Sequence, residues 1–140
     1  MVNRATLKQL ARDRIEDARI LLGHGRWAAA YYLSGYALEA ALKACVLKLV
    51  DETGVIFTDR KFAEKCWTHS TEVLMTQANL MPELAREIGA NPALGGNWGT
   101  VQLWSEASRY HIKSESEART LFDAITHDPD GVFSWIQRHW

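Results

Sequence analysis

Cysteine is scarce in this chain: Cys45 and Cys66 are the only two. Two isolated thiols make neither a disulfide framework nor a metal-ligand set, so the cytoplasm is the expected compartment. An excess of charge of one sign is also missing. Sixteen Lys and Arg stand against seventeen Asp and Glu, a formal net charge of −1. No domain-wide electrostatic footprint for nucleic acid follows from that balance, and any such binding must rely on a local patch. The opening MVNRATLKQLARDR lacks the continuous apolar run of a signal peptide, and the longest apolar stretch is broken by Ser34, Gly35, Glu39 and Lys43. Neither secretion nor a membrane partner is expected. The five histidines are scattered with no i,i+4 pair on one helix, GGNWG has no P-loop lysine or flanking strand, and no nucleophile elbow singles out a serine. No metal site and no cofactor is therefore expected.

What is present suits one globular domain over residues 1–140, with 47% apolar and 24% charged residues and enough length to bury a single core. No segment alternates like a strand, repeats or falls into low complexity. A capping box at Thr6-Leu-Lys-Gln9 predicts the start of a first helix with the apolar line Leu7, Leu10, Ala11, Ile15, Ala18, Leu21 and Leu22, stopped by Gly23 and Gly25. Its other face mixes Lys8, Arg12, Arg14 and Arg19 with Asp13, Glu16 and Asp17, the pattern of a solvated surface. From Arg26 to about Val50 the chain is too apolar for a surface helix, and its alanines invite close neighbours. This is the expected central helix, antiparallel to the first, with Gly35 explained by tight helix packing. Residues 51–67 read as a mixed connection with a helical turn near Lys61 to Lys65. A third helix is expected from His69 or Ser70 toward Leu80, then a short one behind Pro82. NPALGGNWG reads as a loop, and Thr100 to Tyr110 as a helix on the spacing of Val101, Leu103, Trp104 and Ala107. A second capping box, Ser114 to Glu117, opens a helix through Thr126, and Asp128-Pro129 caps a last one. The fold class is all-α, an up-and-down bundle of about five helices around a long central second helix.

Tyr32, Tyr36, Glu39 and Lys43 fall in one narrow arc of that central helix. Two readings stand open. Glu39 and Lys43 form an i,i+4 pair at the bundle's edge, or the stripe faces a groove or partner, since an unpaired charge near a core costs several kcal/mol. His69 is either a helix-start residue or a functional imidazole. Arg109, Tyr110 and His111, followed by Lys113, combine a guanidinium fork, an aromatic face and an imidazole, the groups that hold a nucleotide or RNA phosphate; a helix C-terminus favouring cations explains Arg and His equally well. Of the six tryptophans, most are expected to pack, and exposed ones would mark an interface.

GRWAAAYYLSGYALEAALKACVLKLV, then HSTEVL, then SRYH with EARTLFDAI and FSWIQ resemble the HEPN domain, a small α-helical family. The resemblance implies a bundle of four or five helices, often a homodimer, in nucleotide-binding or RNA-targeting roles. Many relatives pair with a minimal nucleotidyltransferase as toxin and antitoxin, chiefly in prokaryotes. Glu39 and Lys43 match the family's charged pair in the second helix, and His69 its His-before-leucine position. Ribonuclease members carry Arg and His four to six residues apart in a later helix. Here one residue separates Arg109 from His111, seven separate Arg119 from His127, and the four-residue gap from Arg19 to His24 lies at the end of the first helix.

The leading expectation is thus a non-catalytic HEPN protein that binds a nucleotide, RNA or a nucleotidyltransferase partner through Tyr32, Tyr36, Glu39, Lys43, His69, Arg109, Tyr110 and His111. Its rival is a metal-independent ribonuclease toxin in which Arg109 works with His111 or His127, the imidazole taking a 2′-hydroxyl proton while the guanidinium steadies the phosphorane. A third expectation is a purely structural dimerisation module.

Overall fold

The computed structural model describes residues 2–140 and is built on one helix pair. α1 (Arg4–Gly23) and α2 (Trp27–Thr53) are joined by a short turn in which Gly25 takes φ 71°, and they pack along their lengths. Six further helices complete an all-α fold: α3 (Arg60–Lys65), α4 (Thr71–Gln77), α5 (Met81–Ala90), α6 (Pro92–Val101), α7 (Glu115–Thr126) and α8 (Val132–Gln137). Two 3-10 turns, Val55–Phe57 and Glu106–Tyr110, lie between them, and no strand forms among the described residues. Among the described residues eight helices stand where about five were expected, because several are only six or seven residues long.

α2 is central for a compositional reason. Ala30, Ala37, Ala40, Ala41 and Ala44 are buried on different sides of it, so α1, α4, α7 and α8 all approach its axis closely. The buried side chains run as one continuous cluster from Leu7 to Ile136.

Four local expectations are corrected. α1 starts earlier than Thr6, because Asn3 Oδ1 accepts the Thr6 N–H at 2.8 Å, while Gln9 turns to Asp13 at 2.9 Å instead of closing a box. NPALGGNWG is not a loop but most of α6. Pro92 sits in its first turn, Leu94 is buried, and Gly95 lets α5 close in, since a Cβ there would stand 2.9 Å from Ile88 Cγ2. Asn91 and Asn97 also bind the side chain and carbonyl of Asp130, so tertiary contacts override the glycines. Thr100 to Tyr110 is not one helix: α6 ends at Val101, and the apolar spacing misled because Leu103 is 78% exposed. The last helix is capped by Gly131, three residues after Asp128.

The break after Val101 serves Trp104. Its indole lies against Gly35, where a Cβ would come within 2.0 Å of Cε2. The glycine therefore seats an aromatic ring from a non-helical segment, not a neighbouring helix. Gly35→Ala should lower the unfolding free energy by about 1–3 kcal/mol through overpacking. Gly96→Ala, in α6 with open space around it, should raise it by about 0.5–1 kcal/mol. Urea titration of the two variants reads the opposite signs.

Cys45 is 3% exposed, and burial pushes its thiol up to about 11. Iodoacetamide at pH 8 should leave it unlabelled until the protein unfolds. Because the folded thiol keeps its proton longer than the unfolded one, its contribution to stability is full below pH 9 and declines as pH rises toward 11. Labelling and stability measured across that range check both statements.

Candidate functional site

Glu39 sits on the one stretch of α2 that is covered on nearly every side, and only 4% of it is exposed. An isolated carboxylate there would carry a desolvation penalty of several kcal/mol. Two partners offset it at one oxygen. Lys43 Nζ, one turn along, is 3.2 Å from Oε1, and His69 Nδ1 is 2.5 Å from the same atom. The i,i+4 pair therefore exists, with its carboxylate buried and its ammonium reaching the rim of the bundle.

His69 owes its position to the start of α4. Ser70 caps that helix by accepting the Val73 N–H at 3.2 Å, and Thr68 Oγ1 accepts the Ser70 N–H at 3.1 Å. With the backbone held on both sides, the imidazole projects back to α2. Its second nitrogen, Nε2, lies 3.0 Å from Glu106 Oε2 in the second 3-10 turn. Lys43, Glu39, His69 and Glu106 thus form a chain of alternating partners across three separate elements.

Aromatic rings pack along this chain. The Tyr36 ring is 6.0 Å from the His69 ring and 4.7 Å from that of Tyr32, and Trp104 meets Tyr36 edge-on at 5.6 Å. A hydrogen bond with Tyr32, then burial and the Glu39 charge, hold the Tyr36 hydroxyl well above the usual phenol range, so it stays a neutral donor. Arg109 stands exposed at the outer end. The Tyr32 and Tyr110 hydroxyls beside it raise its already high pKa, and its guanidinium carbon lies 4.9 Å from the centre of the Tyr110 ring.

Two recesses flank the cluster. A groove of about 380 Å³ runs between α1 and α2, with Leu7, Leu10 and Arg14 on one wall and Tyr32, Tyr36, Glu39 and Lys43 on the other. A second, of about 370 Å³, is lined by His69, Thr71, Gln102, Trp104 and Glu106. Because the two nitrogens of His69 point in opposite directions to different carboxylates, the three groups do not converge on one point. No group of three or more His, Cys, Asp or Glu among the described residues is placed to hold a metal ion.

Of the residues singled out in the sequence, Tyr32, Tyr36, Glu39, Lys43, His69, Arg109 and Tyr110 come together. His111 does not join them; it is exposed at the end of the 3-10 turn. His127 lies in a different recess of about 520 Å³ with Asn97, Asp123 and Asp130, its Nδ1 4.0 Å from Asp130 Oδ2. Within one chain, then, neither histidine is set against the Arg109 cluster. Sequence reasoning missed Trp104 and Glu106. The signal for Trp104 was Gly35, an unexplained glycine in a helix interior; Glu106 carried none. Of the tryptophans, Trp104 and Trp135 are buried, and Trp67, two residues before His69, is 91% exposed.

Removing links from this chain should destabilise the fold according to the contact each makes with the buried Glu39. His69→Ala, which removes the shorter contact to Glu39 and the link to Glu106, should lose about 1–3 kcal/mol, with Lys43→Ala less and Glu106→Ala, which touches His69 and not Glu39, under about 1 kcal/mol. Denaturant midpoints of the three variants test the ranking, and an equal loss for all three would contradict it.

The chain matches a family model described as HEPN domain over residues 5–88. That span holds Tyr32, Tyr36, Glu39, Lys43 and His69 but stops short of Trp104, Glu106 and Arg109. No curated protein and no solved structure matches the chain.

Proposed function

The chain belongs to the HEPN domain family, and on that premise we propose that it is a non-catalytic module that binds a nucleotide or RNA. Family membership supports a nucleotide- or RNA-related role in general. The observation that carries the finer reading is the fixed polar face above: a buried Glu39 holding Lys43 and His69, with Arg109 beside Tyr32 and over Tyr110. A guanidinium fork suits phosphate, and the neighbouring rings offer faces for a base. Both nitrogens of His69 are taken by carboxylates, which favours a structural imidazole over a general base.

A protein partner fits the same face. Leu103, Tyr110 and Ile112, on the segment that carries Arg109, are 78%, 77% and 96% exposed. Apolar side chains around a charged centre are typical of a docking surface. A second copy of the chain or a minimal nucleotidyltransferase, in a cytoplasmic toxin–antitoxin-like pair, is the partner we propose. No helix among the described residues is long and apolar enough to cross a membrane.

Titration of the purified protein with ATP and with an RNA trinucleotide tests the reading. Binding should weaken about tenfold in Arg109→Ala, the loss of one charged fork to phosphate, and stay unchanged in Lys61→Ala on α3. Absence of binding to either probe, together with purification free of any partner, would sink it. Cleavage of total RNA that depends on His111 or His127 would replace it with the ribonuclease reading.

A further inference from the structure

A second cationic surface lies on the opposite flank of α1. Arg4, Lys8 and Arg12 follow one another at four-residue spacing, so they climb one edge of the helix at about 6 Å a step. Lys8 and Arg12 form no ion pair among the described residues, although the next cations along do: Arg14 with Asp17 at 2.9 Å and Arg19 with Glu16 at 3.3 Å. Lys48 of α2 adds a fourth charge, and the ammonium of Lys8 is pushed down first by burial and then by repulsion from Arg4 and Arg12.

Trp140, beyond α8, stands in the middle of this strip. Lys8 Nζ is 5.4 Å and the Arg12 guanidinium carbon 4.9 Å from the centre of its ring, while Arg4 is engaged by its main-chain oxygen. Phe133 meets the indole edge-on at 5.7 Å, and the ring remains partly exposed. Arg12 also borders a groove of about 410 Å³ between α1 and α8, with Thr126, Ser134 and Gln137 in its walls and Glu16, tied to Arg19, on its rim. Glu83 and Glu87 bear on His139, and Asp51 and Glu52 follow Lys48 by three and four residues on α2. The buried line of Leu7, Ala11 and Ile15 separates the strip from the groove that Leu10 and Arg14 help form on the other flank.

Like charges one turn apart destabilise a helix, and here the acids of α1 are spent on other partners. A chain of phosphates relieves that repulsion and releases its own counterions. An indole among cations adds a stacking surface, the combination used for single strands. We propose that this flank of α1 binds the phosphodiester backbone of single-stranded nucleic acid, with phosphates along Arg4, Lys8 and Arg12 and at Lys48, and with Trp140 as the aromatic contact. The strip is separate from the Arg109 face and functions whether or not that face binds a nucleotide.

Fluorescence anisotropy with a labelled 12-nucleotide oligo-U RNA, and with oligo-T DNA of the same length, tests it across a salt series. The double variant Lys8→Gln/Arg12→Gln should bind both about tenfold more weakly and flatten the plot of log affinity against log salt by about 1.4, two phosphate contacts at about 0.7 each. Lys48→Gln alone, a milder change, should lose about threefold. ATP affinity should be unaffected in these variants and weakened in Arg109→Ala, while Lys61→Gln on α3 should leave the salt slope for the 12-mer intact, so failure of one face is distinguishable from failure of the other. RNA binding stronger than DNA binding, lost in the same variants, also supports the strip and assigns it to RNA. An unchanged affinity and slope in the double variant, with native circular dichroism, would overturn the proposal, as would no binding by the parent protein at 50 mM salt. Equal binding of poly-glutamate with the same variant dependence would overturn it in favour of an acidic protein.

Discussion

The seating of Trp104 on Gly35 is the contact on which the candidate site depends. α2 alone presents a tyrosine pair, a carboxylate and a lysine. The residues that complete the cluster, Glu106 and Arg109, lie on a segment with little regular structure of its own, and something must hold that segment in register. A large ring pressed against bare backbone does so, because it excludes water over a wide area and admits few alternative positions. Tyr31 adds a second tie: its hydroxyl donates to the Leu103 carbonyl at 3.4 Å, and the Lys113 ammonium lies 4.5 Å from the centre of its ring. Between these two anchors the 3-10 turn has little freedom left, so the reach of Glu106 to His69 and of Arg109 to Tyr32 follows from packing some distance from either polar contact.

Burial of Glu39 sets the second constraint. A carboxylate at that depth is stable only with partners, and its partners are Lys43 on α2 itself and His69 just before α4. His69 links α2 to the head of α4, and through Glu106 to the 3-10 turn. Polar contacts of this kind add little net stability compared with apolar packing, but each is sensitive to geometry. They select one arrangement of the short helices over others that the same apolar pattern would allow. The short, glycine-rich stretches in this half of the chain make such selection necessary, since their local preferences are weak.

Much of this was legible in the residues alone, and the boundary of legibility has a physical cause. α1 and α7 announce themselves through the period of their apolar stripe, α7 through its capping box as well, and α2 through its long apolar content. The stripe of Tyr32, Tyr36, Glu39 and Lys43 follows from helix geometry without any knowledge of the fold. α6 was illegible because its glycines signal a loop locally, while Ile88, Asp130 and the core below Leu94 make it a helix from outside. The segment after it misled in the other direction: Val101, Leu103, Trp104 and Ala107 mimic a helical face, yet Leu103 points to solvent and Trp104 turns to α2. Nothing within a short window distinguishes these cases. His69 was legible as a position but not as a bridge, since its second partner, Glu106, becomes visible only after the chain has folded back.

Charge placement along α1 shows how a nearly neutral protein can still offer positive edges. The net charge of −1 excludes long-range attraction for polyanions, and at physiological salt such attraction would be screened within about 8 Å in any case. What counts is whether a cation has a carboxylate within reach. On α1 the acids are placed toward the C-terminal half, where they engage Arg14 and Arg19, and the N-terminal cations are left beside an indole. Arg109 is treated alike on the other flank: tyrosines surround it, and the nearest acid of its own turn, Glu106, is engaged by His69. Both surfaces arise from the same device, in which carboxylates are drawn off by neighbours so that an exposed guanidinium is left against aromatic rings. That arrangement is poor at stabilising a monomer and well suited to a ligand that brings its own negative charge.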